Sequence, residues 1–265
     1  MPGGSTDLLA SDEPAPQRLL RPQGSSDFLL TADHAGRLIP RHLGTLGLSD
    51  SERARHIAWD IGIAGVTEYL SALLDATAVL QTYSRLVIDC NRDPGHPTSI
   101  PEISEDTEIP GNRGLSAADR EARRQAILVP YHDAIAGLLD TRRAAGRRTV
   151  LLAMHSFTPV FKGVVRAVEV GVLYYVKTRL PQLPRIMLDL LRAEGDLTVG
   201  DNQPYAITDT SDYTVPVHGE GRGLPHVEIE IRQDLIAAAA GQRAWAERLA
   251  RLLPKADRRL RAVEP

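Results

Sequence analysis

From residue 27 onward, short apolar runs alternate with segments whose apolar positions recur every three or four residues. DFLLTAD (27–33) reads as a strand buried on both faces. IGIAGVTEYLSALLDA (61–76) reads as a helix, with Ile61, Ala64, Tyr69, Leu70, Leu73 and Leu74 able to share a face. TAVLQTYS and RLVIDC follow as two strand-like runs, the second β-branched and apolar throughout. Residues 91–115 hold too many prolines, glycines and acids for a regular element, and a loop of that length in a compact domain suits a binding loop or lid. The run from Ser116 to Gly146 opens with a serine cap and an acidic first turn and reads as helix, kinked or divided at Pro130. RRTVLLAMHSF (147–157) and AVEVGVLYYVK (167–177) are further strands, LPRIMLDLLRAEG is a helix closed by Gly195, and DLTVGDN is a short strand. After a second loop, 201–223, PHVEIEIRQDLI alternates like a strand and residues 240–263 form an amphipathic helix.

Strand and helix alternating in this way predict one α/β domain around a mixed, largely parallel sheet flanked by helices. The first 26 residues are rich in Pro, Gly and Ser and read as an extended arm docked through its leucine pairs, leaving 27–265 as the folded domain. They lack the basic start and apolar stretch of a signal peptide. A net charge of −3 over 265 residues gives no footprint for nucleic acid or an anionic membrane, and no apolar run is long enough to span one. A single cysteine, Cys90, rules out an intrachain disulfide or a cysteine-based zinc cage and fits a cytoplasmic protein. Composition leaves the oligomeric state open, a homo-oligomer included.

Ligands of open α/β sheets bind beyond the carboxyl ends of the strands, so the polar residues there carry the chemistry. They are Asp33-His34, Asp89 with Asn91-Arg92, His155-Ser156, Asp201-Asn202, and Glu228 and Glu230. His34 and His155 each follow an apolar run and precede small residues, with Gly36 keeping the approach to His34 clear. One such histidine is as readily a core residue held by backbone; two in the same context favour a metal. Catalytic zinc takes three protein ligands and leaves a position for water. The third ligand is Asp60 or Asp33 on this reading, and for Asp60 the plain alternative is a helix cap. His56, four residues before Asp60, suits a partner of that ligand or mere packing. In YSRLVIDCNRD, Arg85 and Arg92 bracket a run, and Arg92 beside Asn91 offers a planar fork and an amide to a carboxylate. The alternative is a surface pair with Asp89 or Asp93. Cys90 reads as a small core residue rather than a nucleophile. Glu228 and Glu230 share one strand face, costly unless a cation is near, and suit a general base beside a metal. A solvated edge strand is the competing reading.

The set DHAG, WDIG, SRLVIDCNRD, IPGN, PYH, HSFTP, GDNQPY and EIRQDL resembles the N-formylglutamate amidohydrolase family over about residues 27–250. The resemblance implies a phosphorylase/hydrolase-like fold, akin to zinc carboxypeptidases and aspartoacylase. It implies zinc at His34, Asp60 and His155, with Glu230 as general base. Arg85, Asn91 and Arg92 fall in the element that binds a carboxylate and the scissile carbonyl, and Asn202 and Arg166 join the substrate site. Carboxypeptidases carry His-x-x-Glu, but Arg37 stands three after His34, and AWDIG replaces a Thr-Asp-Trp-His run. Two functions follow. One is a zinc hydrolase of a small N-acyl amino acid such as N-formyl-L-glutamate, with other deacylases or small-peptide amidases as variants. The other is a ligand-binding relative that has lost its metal, and intact His34, His155 and Glu230 favour the enzyme.

Overall fold

The computed structural model describes residues 8–263. Seven strands form one mixed sheet in the order β1-β3-β2-β6-β11-β9-β10. They are β1 (Gln17–Leu20), β2 (Phe28–Ala32), β3 (Thr77–Gln81), β6 (Val150–Phe157), β9 (Val170–Leu173), β10 (Val199–Asp201) and β11 (His226–Arg232). The pairs β3–β2, β2–β6 and β6–β11 are parallel, while β1–β3 and β11–β9 are antiparallel. Two small hairpins stand outside it, β4 (Ile103–Ser104) with β5 (Thr107–Glu108), and β7 (Val160–Phe161) with β8 (Val164–Val165). The single α/β domain with a mostly parallel, helix-flanked sheet is as the pattern predicted.

Beyond the short α1 (Asp50–Arg53), the helices are α2 (Ile63–Leu74), α3 (Ala117–Arg123), α4 (Val129–Ala144), α5 (Gln182–Arg192) and α6 (Ala239–Arg261). One face of the sheet, through Leu30, Leu80, Leu152, Val227 and Ile229, packs with α2, α5 and α6 in the larger core. The opposite face, through Leu29, Val79 and Leu151, packs on Tyr131, Ile135 and Leu139 of α4. Because side chains alternate along a strand, His155 of β6 and Glu228 and Glu230 of β11 project from the face that carries Leu151. The register sets Glu230 opposite His155, placing base candidate and ligand candidate on adjacent strands.

Several expectations are corrected. RLVIDC is buried but is no strand: residues 85–90 run as turns with no neighbouring strand to pair with. Side chains satisfy two of its carbonyls instead. Asn112 donates to the Leu86 carbonyl at 2.8 Å, and Arg123 donates to the Val87 carbonyl at 3.0 Å. Within the arm, β1 forms the sheet edge and Leu8 is buried; residues 1–7 lie outside the described residues. Helix α2 begins at Ile63, after Gly62 in the left-handed region (φ 84°), and buries Ile63, Val66, Thr67, Leu70 and Ser71. Leu73, expected on that stripe, is exposed. Pro130 does divide its helix, and residues 124–128 form a π turn between α3 and α4 that accommodates the missing N–H. Glu228 and Glu230 lie on an interior strand, both buried, so the solvated-edge reading falls.

Candidate active site

Beyond the C-terminal ends of β2 and β6 lies a cleft of about 440 Å³ lined by His34, Asp60, Arg85, Asp89, Arg92, His155, Glu228 and Glu230, among others. His34 lies two residues after the end of β2, and its carbonyl accepts the Asp60 N–H at 2.9 Å, which draws the WDIG turn against the strand end. Gly36 serves close packing on the backbone at the end of β3 rather than an open approach. A Cβ there would come within 2.0 Å of the Thr82 carbonyl oxygen. Asp60 caps no helix; its Oδ2 lies 3.1 Å from His155 Nδ1 and 3.6 Å from His34 Nδ1. Arg37 is exposed, with its guanidinium 5.1 Å over the Trp59 ring, so the position that would complete His-x-x-Glu points away from the site.

The three side chains fit a metal. Tetrahedral zinc with bonds of about 2.0–2.1 Å sets its ligand atoms roughly 3.3 Å apart, and the distances to Asp60 bracket that value. One ligand atom from each of His34, Asp60 and His155 lies within 4.8 Å of the others, and all three residues are buried. His34 Nδ1 is buried with no hydrogen-bond partner, the state of a nitrogen awaiting one. Its Nε2 donates to Asp89 at 2.7 Å, which leaves Nδ1 as the free lone pair. Around His155, Nε2 lies 3.3 Å from Asp33 Oδ2, and Asp33 Oδ1 accepts the Tyr131 hydroxyl at 2.6 Å.

The electrostatics agree. Burial and Arg85 disfavour charge on His34, but Asp89 and Asp60 outweigh them and raise its pKa. His155 is buried too, yet Glu228, Asp33 and Asp60 hold its pKa well above the ordinary histidine value. Asp60 and Asp89 are held low in spite of burial, Asp60 by the two histidines and Asp89 chiefly by Arg85. So many carboxylates facing two imidazoles attract positive charge, as protons or as a metal. Glu230 lies apart from this pairing: burial lifts its carboxyl to about 7 against the pull of His155, and its Oε2 has no partner. Burial pushes Glu228 well above the usual carboxylate range.

The remaining candidates divide. Arg85 lines the cleft, donates to Asp89 at 2.8 Å and stands 3.6 Å from Asp60 Oδ1. Arg92 also lines the cleft, and its guanidinium donates to the Asn91 carbonyl at 2.9 Å rather than to Asp89 or Asp93. Asn91 has both ends of its amide committed, giving Nδ2–H to Asp212 and accepting the N–H groups of Tyr213 and Thr214. It therefore ties the 212–214 segment to the cleft. Asn202 is outside the cleft lining; it sits at a left-handed turn (φ 48°) and accepts the Tyr174 N–H. The substrate role expected for it is not met by that placement. Arg166 lies at the rim, 4.7 Å from the Phe161 and Tyr205 ring centroids and 5.7 Å from that of Phe157, and donates to the Tyr205 hydroxyl. His56 pairs with Glu105 (3.3 Å) rather than with Asp60. Cys90 is buried, and burial drives its thiol pKa far up, so it is inert.

Sequence reasoning missed the orienting parts of Asp89 and Asp33, and Glu105. The last reaches the cleft wall from the turn between β4 and β5 and is clasped by Arg55. Nothing in local composition separates Glu105 from its acidic neighbours.

An α/β sheet that gathers a candidate three-ligand metal seat and a buried, partly unpartnered carboxylate in one cleft has the layout of an amide-bond hydrolase. The chain belongs to the N-formylglutamate amidohydrolase family, whose profile matches residues 26–237. It is 41% identical to a gene product of Agrobacterium tumefaciens of known crystal structure, with TM-score 0.91, covering 96% of this chain and 99% of that one. The structure of N-formylglutamate amidohydrolase from Ralstonia eutropha JMP134 shares the fold at 21% identity and TM-score 0.72, covering 94% of this chain and all of that one (100%). No curated protein matches. Family membership makes the protein an amidohydrolase. Among the described residues no helix is long and apolar enough to cross a membrane.

Proposed function

We propose that the protein is a zinc-dependent cytoplasmic amidohydrolase. Its substrate would be a small carboxylate-bearing N-acyl amino acid, N-formyl-L-glutamate being the simplest case, from which it removes the acyl group. The reading is supported above all by the convergence of His34, Asp60 and His155 in one buried cluster beside Glu230. His34, Asp60 and His155 would hold the zinc, which when bound supplies a Lewis acid and lowers the pKa of water.

The chain's own groups do the rest. Glu230 takes the proton of the attacking water and returns it to the leaving amine, and a carboxyl poised near 7 can do both. Arg85, fully charged beside Asp89, faces the cleft where the carbonyl oxygen gains negative charge. Arg92, whose guanidinium donates to the Asn91 carbonyl and not to a neighbouring carboxylate, receives the substrate's carboxylate, and Arg166 meets a second one at the rim. Asn91 holds the 212–214 wall in place.

The test is formate release from N-formyl-L-glutamate by the zinc-supplemented full chain, beside a panel of N-formyl and N-acetyl amino acids and small peptides. Turnover that falls on chelation and is greatest for a carboxylate-rich N-acyl amino acid supports the reading. Turnover unaffected by chelation, or none on any member, contradicts it.

A further inference from the structure

The PYH motif lies on α4, beneath the sheet face that carries His155, and the chemistry above leaves it unexplained. Tyr131 is fully buried, and its hydroxyl donates to Asp33 Oδ1 at 2.6 Å. The other oxygen of Asp33, Oδ2, has no hydrogen-bond partner and lies 3.3 Å from His155 Nε2. The opposite nitrogen, Nδ1, is the one that meets Asp60 at 3.1 Å. We propose that Tyr131 is a positioning residue for the metal seat, acting through Asp33 to keep the proton of His155 on Nε2 and the lone pair of Nδ1 turned toward Asp60. The inference rests on the metal reading above.

A neutral imidazole binds a metal through one nitrogen only if the other carries the proton, and the partner of that other nitrogen decides which is which. An ionised carboxylate only accepts: without a metal Asp60 takes the Nδ1 proton at 3.1 Å, and with a metal between Nδ1 and Asp60 the neighbouring Asp33 selects Nε2–H. A carboxylate free to turn would hold the ring loosely. Tyr131, on a helix packed into the core, occupies Oδ1 and leaves Oδ2 as the oxygen that faces the ring. His34 is oriented from another quarter: Asp89 is itself fixed by Arg85 at 2.8 Å and by the Asn91 N–H at 2.9 Å. The two histidines are thus set by independent parts of the chain, one from α4 and one from the turns at 85–91.

Zinc affinity of the full chain, measured by competition with a chromophoric chelator, tests this in Tyr131→Phe, Asp33→Ala and Asp33→Asn. The thermal midpoint of each metal-free protein is measured alongside. Tyr131→Phe should weaken zinc about tenfold. Asp33→Asn should weaken it more than Asp33→Ala, although the amide fills the space better. Tyr131 would hold the amide oxygen, leaving the Nδ2–H group to face His155 Nε2 and drive the ring proton onto Nδ1. A purely structural role predicts the reverse order, with affinity following the thermal midpoints, and that result would overturn the inference. Wild-type affinity in all three variants would overturn it as well while sparing the metal reading. A wild-type chain that binds no zinc would remove both.

Discussion

At the scale of residues, the proposed chemistry depends on two neighbours with different environments. Glu228 and Glu230 share one face of β11, but Glu228 faces Ala153 across the register and Glu230 faces His155. Glu230→Gln should retain zinc and lose kcat by several orders of magnitude, since an amide cannot take the water's proton. Glu228→Gln should cost far less, because its place on the strand faces Ala153 and not His155. Steady-state rates with metal analysis of both variants check this, and the reverse ranking would move the base to Glu228. Arg92→Lys should lower kcat/KM on an N-acyl amino acid at least about tenfold, the cost of a bidentate charge-assisted pair. On the matching amide lacking that carboxylate the same change should cost little. Equal losses on both would assign Arg92 to the scaffold. Both histidines and both glutamates were legible as residue types at strand ends. Asp60 was legible only as one of two carboxylates for the cluster, because it reaches His155 through the backbone bond that folds its turn onto His34.

At the scale of elements, the long connection after β3 carries Arg85, Asp89, Asn91 and Arg92, and it is held by side chains rather than by a ladder. Asn112 of IPGN donates to the carbonyls of Leu86 and Pro101, and accepts from Arg123. Arg123, fully buried, also serves the carbonyls of Val87 and Gly111. This is why RLVIDC misled: its apolar residues are as buried as a strand's, while the side chains that serve two of its carbonyls lie 26 and 36 residues away. Periodicity reports burial and is blind to such partners. Arg123→Met leaves several buried acceptors unpaired and should cost at least about 2 kcal/mol. That corresponds to a fall in Tm of roughly 4–8 °C for a domain of this size. KM should rise as the connection loosens. Differential scanning calorimetry and steady-state kinetics read the two effects, and an unchanged Tm would show that the connection is held by something else.

At the scale of the whole molecule, the alternation of runs gave the fold class because parallel strands buried on both faces must be continuous and apolar. It could not give the strand order, nor the edge strand β1 within an arm of loop-like composition. A second consequence of burial is acid sensitivity. His218 donates from Nε2 to His132 Nδ1 at 3.0 Å, and His132 Nε2 donates to the Cys90 carbonyl at 2.7 Å. Burial first, then His132 and Arg222, push the His218 pKa down to about 3, and burial lowers that of His132 as well. Between about pH 6.5 and 3 the unfolded chain therefore binds a proton at His218 that the folded chain refuses. Stability falls as pH drops through that window, by up to roughly tenfold in the folding equilibrium per pH unit. In chelator, the Tm of the wild type should fall more between pH 7.5 and 5.0 than that of His218→Gln; parallel falls would place the acid lability elsewhere.

The central claim is that His34, Asp60 and His155 hold one catalytic zinc per chain. Its most direct test is the zinc content of the purified full chain after equilibration with zinc and removal of excess, compared between the wild type and His155→Ala, with circular dichroism to confirm that both are folded. The account predicts about one zinc per wild-type chain, little or none in the folded variant, and N-acyl hydrolysis only where the zinc is present. Equal zinc in both proteins, or full hydrolysis by the zinc-free variant, would contradict it.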